Sequence, residues 1–511
     1  MDDGTNIFSE GLIVLIAMFA IVFFIGGVLP RIRRRGLTLA DLMVCNRSLP
    51  LWIGVLTMTA TWVGGGYLCG TAEMAFSSGY VWAQAGWGYA ASLILGGIFY
   101  AKKMRERGYT TMLDPFNDRF GSNAAAVMYV PALIGELFWT GAILTAMGTS
   151  FSVIFGLGFN EGIIICAVIA IAYTVIGGMW AVAYTDVFQL VLMTASLILA
   201  VCFVLPELGG LDQAMSYYKE IFPIQAEGSF LRGYFPPLDG WRDPSWGNYY
   251  WQWWDYGLLF VFGGIPWHCY FQRVLSARSP NIARWLSIGA GFLAFTLVIP
   301  PTLLGLSASV ADWGALGITV PDPTSITLPY VLRYLAPASI GALGLGGLAA
   351  AVMSSVDSSM LAASSMFTWN VFPMIKPNSS DKQLKIVLRI TIIVLGAVAT
   401  LLAIYTKSVY ALWALCSDFV YVLLFPALTT TLYFRGTNRY GIYSGIITAL
   451  ILRMGVGIPE LGFSPIFPYP MIENGVVLWP FRTFSMVAGF ATIILISALT
   501  RKYGRKRKDG G

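Results

Sequence analysis

The chain has 511 residues, 57% of them hydrophobic and only 11% charged, with a mean hydropathy of +0.70. Soluble domains carry about 25% charged residues, so this composition excludes an ordinary soluble enzyme, a disordered chain and a nucleic-acid binder. The net charge of +6 is then no phosphate-reading surface.

A helix crosses the hydrocarbon core with about 20 apolar residues. In chain order the apolar runs predict thirteen such helices, near 10–29, 50–76, 81–101, 123–155, 161–178, 185–206, 249–273, 284–307, 328–373, 384–405, 409–433, 440–458 and 480–500. The fold class is all-α and integral to the membrane. The runs at 123–155 and 328–373 are overlong and must tilt or continue as helix outside the bilayer.

The first run is a retained helix rather than a cleaved signal. Asp2, Asp3 and Glu10 precede or open it, and Arg31, Arg33, Arg34 and Arg35 follow it as a stop-transfer flank. Lysine and arginine set the orientation. With the N-terminus extracellular and the C-terminus cytoplasmic, 25 of the 32 basic residues fall on inner loops and the tail, Arg273 among them. Lys219, Arg232, Arg242, Lys407 and Arg482 fall outside, while Arg333 and Arg453 lie in or near spans. The tail from 501 to 511 reads as a basic anchor facing anionic lipid.

The second run contains Trp62-Val-Gly-Gly-Gly-Tyr67, and three consecutive glycines make a poor helix interior. The seventh contains Gly263-Gly-Ile-Pro-Trp267, broken by its proline. Helices 2 and 7 are five apart, so each opens a set of five, the second set entering the membrane inverted. Broken helices at equivalent places in two inverted halves point to a transporter site at the midplane. The expected organisation is a first helix and inner loop at 1–48 and a first repeat at 49–207. An extracellular loop at 208–248, a second repeat at 249–433 and two further helices at 434–500 follow.

Polar residues within the ninth run form one group. Ala351, Ser354, Ser355 and Ser358 share a helical face, and their hydroxyls suit a small hard cation. Asp357 beside them is a costly intramembrane carboxylate, which usually signals function. Asp186 lies at the inner end of the sixth run, where it is either functional or interfacial. Glu136 and Asp418 are further intramembrane acids, each either functional or a buried hydrogen-bond acceptor.

Aromatics form the second group. Trp62 and Trp267 sit at the two breaks, with Tyr89, Trp139 and Trp413 in spans 3, 4 and 11. Ring faces around one cavity favour a cation without hydrogens to donate, such as a quaternary ammonium. A sugar is the alternative, though it needs more polar side chains than the breaks supply. With one histidine, His268, and six scattered cysteines, no nucleophile–base pair or metal cluster appears, so the chain is not an enzyme.

Several segments carry a family resemblance. They are Thr59-Ala-Thr-Trp-Val-Gly-Gly-Gly-Tyr67, Thr110-Thr-Met-Leu-Asp-Pro-Phe116, Ala183-Tyr-Thr-Asp186, Gly263-Gly-Ile-Pro-Trp267, Tyr270-Phe-Gln-Arg-Val-Leu-Ser276 and Ala350-Ala-Val-Met-Ser-Ser-Val-Asp-Ser-Ser359. On these the chain resembles the solute:sodium symporters over nearly its whole length, and within them the choline-carrying branch. The resemblance implies a LeuT-type five-plus-five inverted repeat and sodium-coupled alternating access at the plasma membrane, in a presynaptic setting. It implies sodium held by the carbonyls of Ala60, Val63 and Ala351 and the hydroxyls of Ser354 and Ser355. A second sodium site would map to Thr61, Asp186 and Ser358, with Asp357 where relatives often have a small or hydroxyl residue. Chloride dependence is implied without a position, no organic cofactor is called for, and homo-oligomerisation stays open. Another small solute, or a non-transporting sensor or channel on the same scaffold, are the alternatives.

Overall fold

The computed structural model describes residues 8–28, 38–156, 158–176, 178–223, 230–406, 409–458, 462–473 and 476–501. Asp2, Asp3, the Arg31–Arg35 run, Lys407 and the tail from Lys502 onward lie outside the described residues. Among those described, eight helices are long and apolar enough to cross a membrane, and Leu51–Trp62 and Phe159–Ala172 are shorter apolar helices. One antiparallel ribbon, β1 Ile472–Glu473 with β2 Val476–Val477, accompanies them.

The first half comprises α1 Ser9–Phe23, α2 Leu51–Trp62, α3 Gly65–Ser77, α4 Ala85–Leu95, α5 Ser122–Phe155, α6 Phe159–Ile176 and α7 Met179–Glu207. The run predicted at 50–76 is thus two helices. The overlong run at 123–155 is one helix of 34 residues, about 51 Å at 1.5 Å per residue. Gly178 caps α7 at φ +102, a conformation that side chains with a Cβ avoid. That turn starts α7 six residues before the predicted 185, which moves Asp186 two turns into the helix. Asp186 is fully buried within the bundle.

The described residues of the segment predicted at 208–248 pack against the first half. Its helix Leu211–Ile221 brings Tyr218, whose hydroxyl accepts the Tyr80 N–H at 3.0 Å, and the Tyr234 ring lies 5.1 Å from that of Tyr80.

The second half comprises α8 Tyr249–Gly263, α9 His268–Ser276, α10 Pro280–Thr296, α11 Ile299–Val310, α12 Thr327–Tyr334, α13 Ala338–Met366, α14 Asp381–Thr406, α15 Val409–Phe419 and α16 Phe425–Tyr433. Besides the run at 249–273, which parts into α8 and α9, two predicted runs divide here. The run at 328–373 parts between α12 and α13 at Leu335–Pro337, because proline pushes the residue before it out of helical backbone. The run at 284–307 parts at Leu297–Val298, and a proline opens α11, where a missing N–H costs nothing.

Helix α13 is the hub. It packs against α1, α5, α7 and α14, and every residue from Gly344 to Met366 is buried. Its Gly, Ala and Ser residues permit that crowding. A Cβ at Gly347 would lie 2.1 Å from Ser196 Oγ on α7.

Two further helices, α17 Arg439–Gly455 and α18 Phe481–Leu499, pack on each other. Buried charge ties them to the second half. Asp418 on α15 accepts from Arg453 Nε at 2.6 Å and from Arg482 Nε at 3.3 Å. Asp255 on α8 accepts from Arg482 Nη1 at 3.3 Å and from the Thr483 N–H at 2.7 Å, which caps the first turn of α18. Arg482 was expected on the outer surface. It is buried instead, because two carboxylates in the bundle compensate its desolvation. Asp418 likewise proves to be a buried acceptor.

Removing one partner of a buried ion pair leaves an uncompensated charge, at a cost of about 3–5 kcal/mol. Arg482→Gln should therefore lower stability by an amount of that order, read as thermal unfolding in detergent. Arg435→Gln, at an exposed position, should unfold like the unmodified chain.

Candidate functional site

The two helix breaks build the site. Helix α2 ends at Trp62, Val63 and Gly64 leave helical backbone, and α3 starts at Gly65. Of the three glycines only Gly64 lies outside helix; Gly65 and Gly66 form the first turn of α3. Glycine is required at 64 by contact: a Cβ there would sit 1.6 Å from Ser355 Oγ on α13. At the second break, Gly264 to Trp267 separate α8 from α9, and Trp267 is extended. Its indole N–H donates to Gly263 O at 2.7 Å, which satisfies a carbonyl that the break leaves free.

An oxygen-rich seam joins the first break to α13. Ser354 Oγ donates to Ala60 O at 2.8 Å, and Ser355 Oγ donates to Thr61 O at 3.1 Å. Both hydroxyls also lie within 3.4 Å of Ala351 O. Val63 is buried at the same break, its N–H on Thr59 O at 2.8 Å. The structure thus gathers Ala60, Val63, Ala351, Ser354 and Ser355 in one place and adds the Thr61 carbonyl. Carbonyls and hydroxyls of this kind are ligands for a hard cation.

A second cluster lies one turn further along α13. Asp186 Oδ2 accepts from Thr57 Oγ1 and, at 3.2 Å, from Arg273 Nη2. The same Nη2 donates to Ser358 Oγ at 2.6 Å, and Thr61 Oγ1 is 3.4 Å from that hydroxyl. Asp357, also buried, accepts from Ser358 Oγ at 3.4 Å. Thr61, Asp186 and Ser358 converge around a guanidinium, and Asp357 reaches this cluster through Ser358.

Arg273 was expected on an inner loop and is fully buried. The sequence held a signal for this. Arg273 follows the Gly264 break by nine residues, about 14 Å of helix, and half the hydrocarbon core is about 15 Å. A midplane break therefore keeps Arg273 inside the membrane. Thr57, one helical turn before Thr61, was also missed.

Glu136 on α5 links three elements. Ser359 Oγ on α13 donates to Glu136 Oε2 at 2.8 Å, and the Cys269 N–H in the first turn of α9 faces the same carboxylate.

Beside the seam lies a small cavity lined by Trp62, Tyr89, Trp139, Trp267, Cys269 and Trp413. All five aromatics singled out in the sequence line it, and Cys269 is the addition. Ring centroids are 6.2 Å apart for Trp62 and Trp139, 5.4 Å for Trp139 and Trp267, and 5.3 Å for Tyr89 and Trp413. Tyr270, not singled out, stands edge-on to Trp62 at 6.0 Å. The Tyr89 hydroxyl bonds Ser417 Oγ. Among the described residues no charged side chain lines the cavity, and ring faces make up most of its wall.

The sodium:solute symporter family profile matches residues 42–449. The high affinity choline transporter 1 of Homo sapiens is 41% identical over 510 residues, covering 96% of this chain and 85% of that protein. The high-affinity choline transporter 1 of Caenorhabditis elegans is 42% identical over 479 residues, covering 91% and 80%. A solved structure of a Na+-coupled sialic acid symporter, substrate-bound and outward-open, shares the fold. Its TM-score is 0.77 at 19% identity, over 97% of both chains.

The Asp186–Arg273 pair makes a double-mutant prediction. Asp186→Asn leaves a buried guanidinium without its counter-charge and should cost about 3–5 kcal/mol in thermal unfolding. Adding Arg273→Gln should recover most of that loss. Strictly additive losses would show that the two side chains do not act as a pair.

Proposed function

Because the chain belongs to the sodium:solute symporter family, we propose that it imports choline across the plasma membrane on the sodium gradient. It is a membrane-spanning transporter, not an enzyme, and sodium is its coupling ion. The choline assignment draws on the relatives' names and on one observation: five aromatic rings line a single cavity where the two helix breaks meet. A quaternary ammonium presents methyl groups and a diffuse charge, and ring faces are the matching surface. The cavity lining offers few polar groups, which disfavours a sugar.

Sodium is assigned to the carbonyls of Ala60, Val63 and Ala351 and the hydroxyls of Ser354 and Ser355. In the structure both hydroxyls donate to carbonyls across the seam. Sodium would turn their lone pairs inward and replace those hydrogen bonds with ion–oxygen contacts, tying the first break to α13. Trp62 directly follows Thr61, so ordering the seam also orders one wall of the cage. Sodium thereby favours choline binding, and choline must favour sodium binding equally. The membrane potential adds about 2.3 kcal/mol per charge per 100 mV to inward movement.

A second sodium among Thr61, Asp186, Asp357 and Ser358 requires Arg273 to withdraw, since it already bridges Asp186 and Ser358. Alternating access is assigned to two inverted repeats, 49–207 and 249–433, with the N-terminus extracellular and the loop at 208–248 outside. Chloride dependence belongs to the same proposal, with no residue assigned to it.

Two measurements test this reading. Ser355→Ala removes one sodium ligand, so half-maximal uptake should need roughly tenfold more sodium, about 1.4 kcal/mol, and choline affinity should fall with it. An unchanged sodium dependence would reject the site. Trp267→Leu keeps apolar bulk but deletes a ring face, worth roughly 2 kcal/mol when desolvated. Its choline affinity should fall at least about tenfold, and that of Trp267→Phe by less. An uncharged tert-butyl isostere of choline should bind the unmodified protein weakly; binding as tight as choline's would sink the cation cage.

A further inference from the structure

One buried acid belongs neither to the sodium seam nor to the cluster around Arg273. Glu136 lies on α5 and is 2% exposed. Its Oε2 accepts from Ser359 Oγ at 2.8 Å, and the Cys269 N–H in the first turn of α9 faces the carboxylate. Its Oε1 has no hydrogen-bond partner. Among the described residues no lysine or arginine forms an ion pair with it. Arg273, whose charge reaches it, is committed to Asp186 and Ser358.

Glu136 stands directly behind the wall of the aromatic cavity. Cys269, whose N–H it meets, lines that cavity. Trp139, three residues along α5 and so on the same face, lines it as well. The preceding residue lies against a third lining side chain: a Cβ at Gly135 would be 3.5 Å from the Trp267 ring. The carboxylate itself is outside the cavity and forms no ion pair there. The Ser359 hydroxyl and the N-terminal dipole of α9 stabilise it while the cage is empty. A carboxylate inside the membrane without an opposite charge is costly, and such groups usually serve function.

We propose that Glu136 adds charge selectivity to the ring faces: its negative charge, acting through the wall, favours a trimethylammonium over a neutral group of the same shape. Rings also pack well against neutral methyl groups, so apolar burial alone separates the two poorly. At a distance of about 10 Å and an effective dielectric of about 20, one unit charge changes cation affinity by roughly tenfold. Glu136 touches no substrate; it is a specificity residue acting from behind Cys269 and Trp139. The inference rests on the proposed choline cage.

The test compares choline with its uncharged tert-butyl isostere, each displacing radiolabelled choline from the purified full chain at fixed sodium. Glu136→Gln keeps the shape of the side chain and removes its charge. It should bind choline about tenfold more weakly and bind the isostere as the unmodified protein does. Glu136→Asp should retain most of the preference for choline. Ser359→Ala removes the hydrogen bond but leaves the charge, and should retain all of it. Glu136→Gln should also unfold no earlier than the unmodified chain, because no buried partner loses its counter-charge. A preference unchanged in Glu136→Gln would overturn the proposal, as would its earlier unfolding or an equal loss for both ligands. Loss of the preference in Ser359→Ala would overturn it too, since the hydrogen bond rather than the charge would then carry the effect. These results leave the cage standing, whereas an unmodified protein with no preference for choline would reject the cage and this inference with it.

Discussion

In a bilayer every backbone N–H and C=O must be satisfied from within the protein, and a broken helix violates that rule by construction. This chain breaks two helices and then supplies partners for the freed carbonyls. Ser354 and Ser355 serve Ala60 and Thr61, and the Trp267 indole serves Gly263. On the proposed function the same groups are the ligands of the transported species: oxygens that a cation can recruit, and a ring fixed at the cavity wall. The site and the repair of the breaks are one set of contacts, so filling the site changes what holds the breaks in shape.

The hub helix makes this coupling local. Small residues let α13 approach its neighbours closely, and each of its serines meets a different partner. Ser354 and Ser355 face the first break, Ser358 meets Arg273 beneath Asp186, and Ser359 meets Glu136 on the helix that also carries Trp139. A shift of α13 by a fraction of a helical turn would alter all of these contacts together. Packed interfaces of this kind favour discrete arrangements over gradual deformation.

The sequence disclosed whatever depended on local chemistry. Glycine runs and a proline marked the breaks, tryptophans at those breaks marked the cavity, and the serine spacing marked the face of α13. It concealed whatever depended on tertiary partners. Arg273 and Arg482 look like loop residues because an isolated arginine belongs in water; only the folded chain supplies Asp186, Asp255 and Asp418. The divisions at Leu335–Pro337 and Leu297–Val298 were hidden for another reason. Hydropathy averages over a window and does not register a short interruption inside an apolar stretch, although Pro337, Pro300 and Pro301 were visible. The early start of α7 turns on Gly178, whose backbone conformation no apolar pattern reports.

Charge placement separates what must stay from what must move. The buried charges at Asp186, Asp255 and Asp418 are neutralised by arginines, and these pairs join helix to helix. Among the described residues no charged side chain lines the aromatic cavity. A carboxylate lining it would need a counter-ion whenever the substrate left, and desolvating it without one would cost several kcal/mol. Ring faces carry no net charge, so the empty cavity needs no counter-ion, yet they still attract a cation once water is excluded. A transporter must release its substrate as readily as it binds it. On the proposed function, an uncharged cage beside a cation-binding seam meets both demands: the seam would gate binding, and no fixed charge in the cavity would trap the substrate at the end of the cycle.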